Sequence, residues 1–298
     1  MDRGVLQGVW LSFLAYFFYA LSDASIKLLD GTMDPFEVAF FGAVIGVAVL
    51  PVMRRPGDRW SDALRANDRP LWLLRGLAAA LGALGSIVAF TALPMAEAFA
   101  LLFLLPAFVT ILSVLFLKEA VGWRRWTAVL VGFAGVLIVL RPGFRELNIG
   151  HLGAIVGGFS GAVTIILLRR LGGREKRISI YGAGLVGPIV VSGLLMVPNF
   201  TVPTAMQWVW LLGYGLLAAL ANVLMMLAST RAPASLVAPP QYSQMLWAII
   251  LGYLVFGDGL DWPMALGTVL IIASGLFTFV REKVRVPAAR RAPAIHPQ

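Results

Sequence analysis

Residues 94–123 read PMAEAFALLFLLPAFVTILSVLFLKEAVGW, and residues 233–262, which lie 139 positions further on, read PASLVAPPQYSQMLWAIILGYLVFGDGLDW. Both segments open with a proline, contain proline within a long apolar run, and end with an acidic residue four positions before a tryptophan. Proline has no backbone N–H and bends or breaks a helix. Inside a membrane, such a break is tolerated only where it faces protein or a water-filled cavity. Two interrupted helices at matching places in two halves therefore predict the binding site of a transporter.

The composition is typical of a protein built from membrane-spanning helices. The chain has 298 residues, of which 59% are hydrophobic and 13% charged, with a mean hydropathy of +0.86. Soluble domains carry about 25% charged residues, and a bilayer requires about 20 apolar residues per helix. We therefore expect an all-α polytopic membrane protein without a cleavable signal peptide. Ten apolar spans are predicted near residues 8–28, 35–53, 71–92, 95–116, 124–140, 151–169, 178–197, 207–229, 234–256 and 262–280.

The basic residues indicate the orientation of these spans. With a cytoplasmic N-terminus, 21 of the 24 Lys and Arg residues lie on the cytoplasmic side, among them Arg75, which we count with the basic loop after the second span. Only Lys27, Arg141 and Arg145 remain on the other side. This asymmetry follows the positive-inside rule. It predicts cytoplasmic N- and C-termini in the inner membrane of a bacterium.

The two halves of the chain are expected to be inverted repeats. Because each half contains five spans, the second half crosses the membrane in the opposite direction from the first. The loop after the fourth span is basic, whereas the loop after the ninth span carries two aspartates and no basic residue. We expect one five-helix repeat over residues 1–145, an inverted five-helix repeat over 146–284, and a disordered basic cytoplasmic tail over 285–298. Inverted repeats are the architecture of alternating access around a site at the midplane.

Small residues, prolines and charged residues at helix ends form a recognisable pattern. Its members are Ala98, Pro106, Phe116-Leu117-Lys118-Glu119, Ala128, Gly135-Val136, Pro240, Asp258, Gly267 and Gly275, with Lys27 near the end of the first span. In these residues the chain resembles the drug/metabolite transporter superfamily, in particular its EamA-like exporter branch of five plus five helices. Within that branch it looks most like the bacterial exporters of aromatic and other hydrophobic amino acids. The chain departs from the family pattern at Ala128 (often Gly), at Asp258 (often Glu) and at Phe41-Gly42, where an Arg is common.

Polar and aromatic side chains at helical spacing predict the walls of a binding cavity. The candidates for substrate binding are Tyr16, Tyr19, Phe90, Phe99, Phe103, Phe159, Ser160, Asn222, Met226, Gln241, Gln244 and Trp247. The alternative for any single uncharged polar residue is that it joins two helices by a hydrogen bond. Walls of this composition suit a neutral, zwitterionic or hydrophobic metabolite better than a phosphorylated or strongly anionic one.

Three charged residues are candidates for gating or proton coupling, and three prolines are candidates for hinges. Asp23 and Lys27 lie one helical turn apart on one face, and Glu97 opens the fourth span. The alternative is that Asp23 and Lys27 pair with each other at the membrane interface, where Glu97 would also lie. The hinge candidates are Pro106, Pro239 and Pro240.

Several classes of function are excluded by absent motifs. The chain has no cysteine, and its two histidines, His151 and His296, are too far apart to suggest a metal site. Nucleotide-binding, metalloprotease and serine-hydrolase motifs are also missing. We therefore expect no cofactor, no enzymatic activity and no nucleic-acid partner. The expected partners are the lipid bilayer and a small-molecule substrate, and five plus five spans can enclose a path within one monomer.

Alternatives to amino-acid export stay open at this point. The substrate can be another metabolite or a drug, such as a nucleoside-like compound, and a membrane-embedded enzyme or scaffold can use the same helices. The residues do not give the direction of transport. Either a proton gradient or the gradient of the solute itself can drive it.

Overall fold

The computed structural model describes residues 3–29, 31–118, 121–141, 146–171, 174–232, 237 and 239–285. The helices among these residues are α1 (Arg3–Lys27), α2 (Pro35–Gly46), α3 (Leu50–Met53), α4 (Arg69–Ala92), α5 (Met95–Leu102), α6 (Leu105–Leu117), α7 (Trp123–Leu140), α8 (Ile149–Leu171), α9 (Arg177–Leu195), α10 (Ala205–Arg231), α11 (Ser243–Phe256) and α12 (Trp262–Arg285). Short 3-10 turns cover Val47–Val49, Trp60–Leu64, Val197–Asn199 and Pro239–Tyr242.

Most of these helices can cross a membrane. Seven segments within the described residues are long and apolar enough: Arg3–Lys27, Pro35–Met53, Arg69–Ala92, Met95–Leu117, Ile149–Leu168, Arg177–Leu195 and Ala205–Ala228. Shorter apolar helices cover Trp126–Leu140 and Trp262–Phe277. The prediction of an all-helical polytopic membrane protein is therefore confirmed. The ninth predicted span lies partly outside the described residues, as does all but the first residue of the predicted tail.

Proline interrupts two of the predicted spans. In the first half, α5 ends at Leu102 and α6 begins at Leu105, with Pro106 in its first turn. In the second half, Pro239 and Pro240 begin the 3-10 turn that leads into α11 at Ser243. Both interruptions were predicted from the sequence, although the acid Glu119 at the end of the first segment lies outside the described residues.

The helices pack in pairs that join the two halves of the chain. The main partner of α1 is α10, that of α4 is α8 and that of α7 is α12, while α2 packs on α9. Glycine permits the closest approaches. A Cβ atom added at Gly187 of α9 would overlap the backbone of Gly76 of α4. One added at Gly267 of α12 would lie 2.5 Å from the carbonyl oxygen of Gly135 of α7.

The two ends of the bundle differ in how their apolar cores are connected. We call the end at which α1 begins the basic end, and the end at which α1 finishes the sealed end. Towards the sealed end, one continuous apolar cluster joins helices of both halves and includes Phe90, Met95 and Phe99, each no more than 3% exposed. Towards the basic end, one cluster joins α6 to α8, and a separate cluster joins α1 to α10 and Val237. The apolar core is thus continuous across both halves at the sealed end and divided into two clusters at the basic end.

Candidate functional site

A cavity of about 380 Å³ lies at the interruption between α5 and α6. Its walls also come from α1, α4, α8, α11 and the 3-10 turn that precedes α11. Small-molecule sites typically measure about 300–1,000 Å³. Five of the residues predicted to bind substrate line this cavity: Phe90, Phe99, Phe103, Gln241 and Gln244.

The helix interruption also removes a backbone hydrogen bond beside the cavity. Pro106 has no N–H to donate to the carbonyl oxygen of Leu102, one turn earlier. That oxygen lies against α8, where a Cβ atom added at Gly158 would be 3.2 Å from it. Both Leu102 and Gly158 line the cavity. The proline therefore breaks the helix at a point where α5 packs closely on α8.

Asp23 places a carboxylate in the cavity, one helical turn before the end of α1. It accepts a 3.2 Å hydrogen bond from Nε2 of Gln244. Tyr19 and Tyr214 lie close enough to Asp23 for an electrostatic interaction, and the rings of Tyr16 and Tyr19 are 6.1 Å apart. Of the tyrosine candidates of the first span, Tyr19 therefore lies beside Asp23 and Tyr16 beside Tyr19, and neither Tyr16 nor Tyr19 is among the lining residues of the cavity.

Arg75 places a positive charge in another part of the cavity wall. It lies six residues after the start of α4, and its Nη2 faces Gly184 of α9. Its buried Nε has no hydrogen-bond partner within the part of the chain that the structure describes. No described carboxylate lies within 4.0 Å of its guanidinium group.

Our sequence-based assignment of Arg75 to a basic loop is wrong. The residue lies in a membrane helix, because α4 begins at Arg69 rather than after the basic segment. A signal was available, since Arg75 falls inside the predicted span 71–92. A charged residue within such a span is a candidate functional residue by default. Its charge also favours an anionic ligand, contrary to what we expected from the apolar composition of the walls.

A polar network at the sealed end connects α1 with the second half of the chain. Nζ of Lys27 donates to the carboxylate of Asp258 at 3.0 Å and to the carbonyl oxygen of Leu93 at 3.0 Å. The same carboxylate accepts a 3.0 Å hydrogen bond from the backbone N–H of Met95. The ring of Phe256 lies 5.0 Å from Nζ. The proposed pairing of Lys27 with its neighbour on α1, Asp23, is therefore wrong, because each residue bonds to the second half instead.

A glycine positions Asp258 for this network. Gly257 ends α11 with φ +67°, a left-handed conformation that glycine adopts without strain. The chain then folds back, and the N–H of Asp258 donates to the carbonyl oxygen of Gly252 at 2.9 Å. This turn brings the carboxylate towards the ends of α1 and α4.

Glu97 belongs to a second buried contact at the sealed end. Its Oε1 lies 3.2 Å from Nε2 of His151, and the two side chains are 4% and 7% exposed. Glu97 is therefore covered by α8 rather than exposed to solvent, and its position at the membrane interface stays a prediction. The contact links the start of α5 to the start of α8.

The remaining candidates for substrate binding lie outside the lining of the cavity. Asn222 donates a 2.8 Å hydrogen bond to the backbone of its own helix, α10, on which the partly buried Met226 also lies. Ser160 is 3% exposed and packs against α4, whereas Phe159 is 45% exposed. Trp247 packs edge-on against an aromatic ring of α1, and its buried Nε1 has no partner among the described residues.

Comparison with known proteins identifies transporters. An S-adenosylmethionine uptake transporter of Rickettsia bellii is 28% identical over 263 residues, which cover 88% of this chain and 89% of that protein. A riboflavin transporter of Vibrio cholerae is 31% identical over 239 residues, or 79% of each chain. A pseudopaline exporter of Pseudomonas aeruginosa is 27% identical over 270 residues, covering 90% of this chain and 94% of that protein. The prediction that the chain is not an enzyme is confirmed.

The fold and the family agree with these relatives. A solved crystal structure is similar over 96% of this chain and 99% of that chain, with a TM-score of 0.64 and 20% identity, so the fold is shared. The model of the EamA-like transporter family matches the chain twice, over residues 6–141 and 148–280. The predicted place in the drug/metabolite transporter superfamily is thereby confirmed, and the chain belongs to the EamA-like transporter family.

Proposed function

We propose that this protein moves a small metabolite across a bacterial inner membrane by alternating access through the cavity at the α5–α6 interruption. The observation that carries the proposal is a cavity at a broken helix, with one apolar cluster that joins both halves towards one end of the bundle and two separate apolar clusters towards the other. Broken helices that border a central site are typical of secondary transporters.

Two inverted five-helix repeats, 1–145 and 146–284, would supply the moving parts. In such a duplication α1 corresponds to α8 and α4 to α10, so the α1–α10 pair corresponds to the α8–α4 pair. Both pairs are major contacts. The two matches of the family model, one in each half, give independent support.

The gate residues follow from this cycle. With the N-terminus in the cytoplasm, as the distribution of basic residues favours, the structure corresponds to an inward-facing state. Opening of the sealed end then requires Lys27 to separate from Asp258, while Pro106, Pro239 and Pro240 serve as hinges. Glu97 would hold α5 to α8 through His151 during the same step.

Our first candidate for the cargo is an aromatic or hydrophobic amino acid that the protein exports. The aromatic side chains of Phe90, Phe99 and Phe103 support this candidate, because they provide an apolar wall for a ring. Asp23 with Gln244 offers an acceptor for an ammonium group. None of the three relatives described above is named for amino-acid transport, so this assignment rests on the residues of the cavity.

Our second candidate is a larger ring-bearing metabolite, and two observations favour it. The relatives are named for S-adenosylmethionine, riboflavin and pseudopaline. The cavity also contains Arg75 in addition to Asp23, so it can bind two groups of opposite charge. Transport of such a compound would use the same cavity and the same gate.

The test is flux into proteoliposomes with radiolabelled phenylalanine, tryptophan, S-adenosylmethionine and riboflavin, with and without a pH gradient. Saturable flux of the amino acids supports the first candidate, and saturable flux of the other two supports the second. Dependence on the pH gradient would indicate proton coupling. Gly82→Leu fills the cavity and should abolish flux, whereas Gly122→Leu, where a Cβ atom meets nothing within 4 Å, should not. Equal flux through both variants would refute a route through this cavity.

A further inference from the structure

The two charged side chains of the cavity lie at different depths of the bundle. The wall that α4 contributes runs from Arg75 to Phe90, fifteen residues or about 22 Å of helix. Asp23 is one turn from Lys27, whose Nζ reaches the carbonyl oxygen of Leu93 just beyond the end of α4. Asp23 therefore lies near the Phe90 end of this wall, and Arg75 lies at the other end. The two residues are therefore attached at levels of the bundle that lie on the order of 20 Å apart.

The surroundings of Arg75 favour an anionic ligand. Arg75 is partly buried, with a fully buried Nε, and a charge within a membrane helix is costly unless it is paired, so a charge in this position usually binds a partner, a substrate or an ion. Within the described residues its Nε has no acceptor. A guanidinium group binds a carboxylate or a phosphate through paired hydrogen bonds. Arg75 can therefore hold the anionic group of a substrate.

Asp23 favours a cationic or hydrogen-bond-donating group of the ligand. Its carboxylate receives one hydrogen bond, from Gln244, and faces the cavity. A carboxylate can accept several more hydrogen bonds. A protonated amine, a sulfonium group or a ring with N–H donors can supply this interaction. The aromatic side chain of Phe103 borders the same space.

We propose that the cavity binds an elongated dipolar metabolite, with its carboxylate or phosphate at Arg75 and its cationic or N–H-donating part at Asp23 and Gln244. This assignment rests on the proposed function, because it names the substrate class of the same cavity. A free α-amino acid carries both charges on one carbon atom and can engage only one end. The proposal therefore favours the second candidate cargo over the first.

Two pairs of probes test the charged ends of the cavity on the purified full-length protein. Flavin mononucleotide differs from riboflavin only by a phosphate, so this pair tests the anionic requirement at Arg75. S-adenosylmethionine differs from methylthioadenosine by a chain that adds a carboxylate, an ammonium group and the sulfonium charge, so this pair tests both ends together. The expected result is that the charged member of each pair binds at least about tenfold more tightly, as a charge-assisted hydrogen bond provides. A preference for flavin mononucleotide alone would identify the anionic group as a phosphate, and a preference for S-adenosylmethionine alone that Arg75→Gln removes would identify it as a carboxylate.

Substitutions of single residues identify which side chain causes the preference for the charged probes. Arg75→Gln should remove the preference for flavin mononucleotide over riboflavin and reduce that for S-adenosylmethionine over methylthioadenosine, and its thermal unfolding in detergent reports whether it is correctly folded. Arg75→Lys should retain part of the preference. Asp23→Asn should weaken binding of S-adenosylmethionine relative to flavin mononucleotide, because only the former carries a positive charge. The matched control is Arg54→Gln, since this exposed arginine bonds to a loop carbonyl outside the cavity.

Three outcomes would overturn the inference. The first is equal affinity for both members of each pair in the wild-type protein, which needs no variant and is independent of folding. The second is an unchanged preference in Arg75→Gln. The third is the absence of binding of all four probes, since flavin mononucleotide and S-adenosylmethionine both carry an anionic group and a cationic or N–H-donating part and therefore fit the proposed class. Saturable flux of another metabolite in the transport test would still support the proposed function in each of these cases.

Discussion

The ion pair between Lys27 and Asp258 allows a quantitative prediction about the sealed end. Asp258→Asn keeps the shape of the side chain and an oxygen that can accept the N–H of Met95, but it removes the negative charge beside Nζ of Lys27. The side chains of Lys27 and Asp258 are 15% and 19% exposed. The pair is therefore neither a surface pair nor a fully buried one.

The expected magnitude lies between two limits. Exposed pairs contribute about 0–1 kcal/mol, whereas removal of one partner from a fully buried pair costs about 3–5 kcal/mol. We therefore expect the substitution to destabilise the sealed state by about 2 kcal/mol. Because every 1.4 kcal/mol corresponds to a factor of ten, the population open at this end should rise by about 30-fold. This estimate requires that the pair is absent from the open state.

Because this sequence contains no cysteine, a single introduced cysteine can report the exposure of its position through its rate of chemical labelling. Ala96→Cys places a reporter at a position that is 4% exposed near the sealed end. Its rate of labelling by a membrane-impermeant maleimide, added from the sealed side, should rise by about 30-fold in Asp258→Asn. Asp58→Asn is the matched control, because this residue contacts Lys176 at the basic end. An unchanged labelling rate in a correctly folded Asp258→Asn protein would refute the reasoning, as would an equal rise in the control.

Three further predictions concern stability and the helix interruption. Gly187→Ala should lower the free energy of unfolding by about 1–3 kcal/mol, because the added Cβ overlaps the backbone of α4; Gly122→Ala should change it little, and thermal unfolding in detergent measures both. The hydrogen bond from Lys176 holds the pKa of Asp62 below its usual value of 3.8. The stabilisation of the fold by ionised Asp62 is therefore complete above pH 3.8 and is lost as the pH falls below that value. In Asp62→Asn, the temperature of thermal unfolding should depend less on acid pH than in the wild-type protein. Pro106→Ala restores a helical N–H and should slow flux several-fold without loss of folded protein, and an unchanged rate would contradict a hinge.

The spans were predictable because their stability is local. In lipid, each backbone polar group must be satisfied within its own helix, so a long apolar run is sufficient to specify one. The predicted span 35–53 coincides with the apolar segment Pro35–Met53, and the predicted span 95–116 with Met95–Leu117. The proline interruptions were predictable for the same reason, since the missing N–H is a property of one residue.

The candidate site was predictable only in part, because helical periodicity gives a face but not the direction in which that face points. Phe99 and Gln244 were expected in the cavity and line it. Phe159 was expected there too, yet its side chain is 45% exposed and packs against Phe108. The same kind of pattern thus lies in the cavity wall on one helix and on the outer surface on another, because packing against neighbouring helices sets the rotation of each helix about its own axis.

The class of protein, the positions of its helices and the residues that interrupt them followed from the sequence alone, since these depend on hydrophobic length and on backbone hydrogen bonds between near neighbours. Which charged residues pair with each other depended on the packing of distant helices. Lys27 pairs with Asp258, 231 positions away, although Asp23 lies one turn from it on the same helix. Arg75 similarly lies in the cavity wall only because α4, which carries it, packs against α8 and α9. Partners of buried charges depend on how distant helices are placed relative to one another, and spacing along the chain carries no information about that placement.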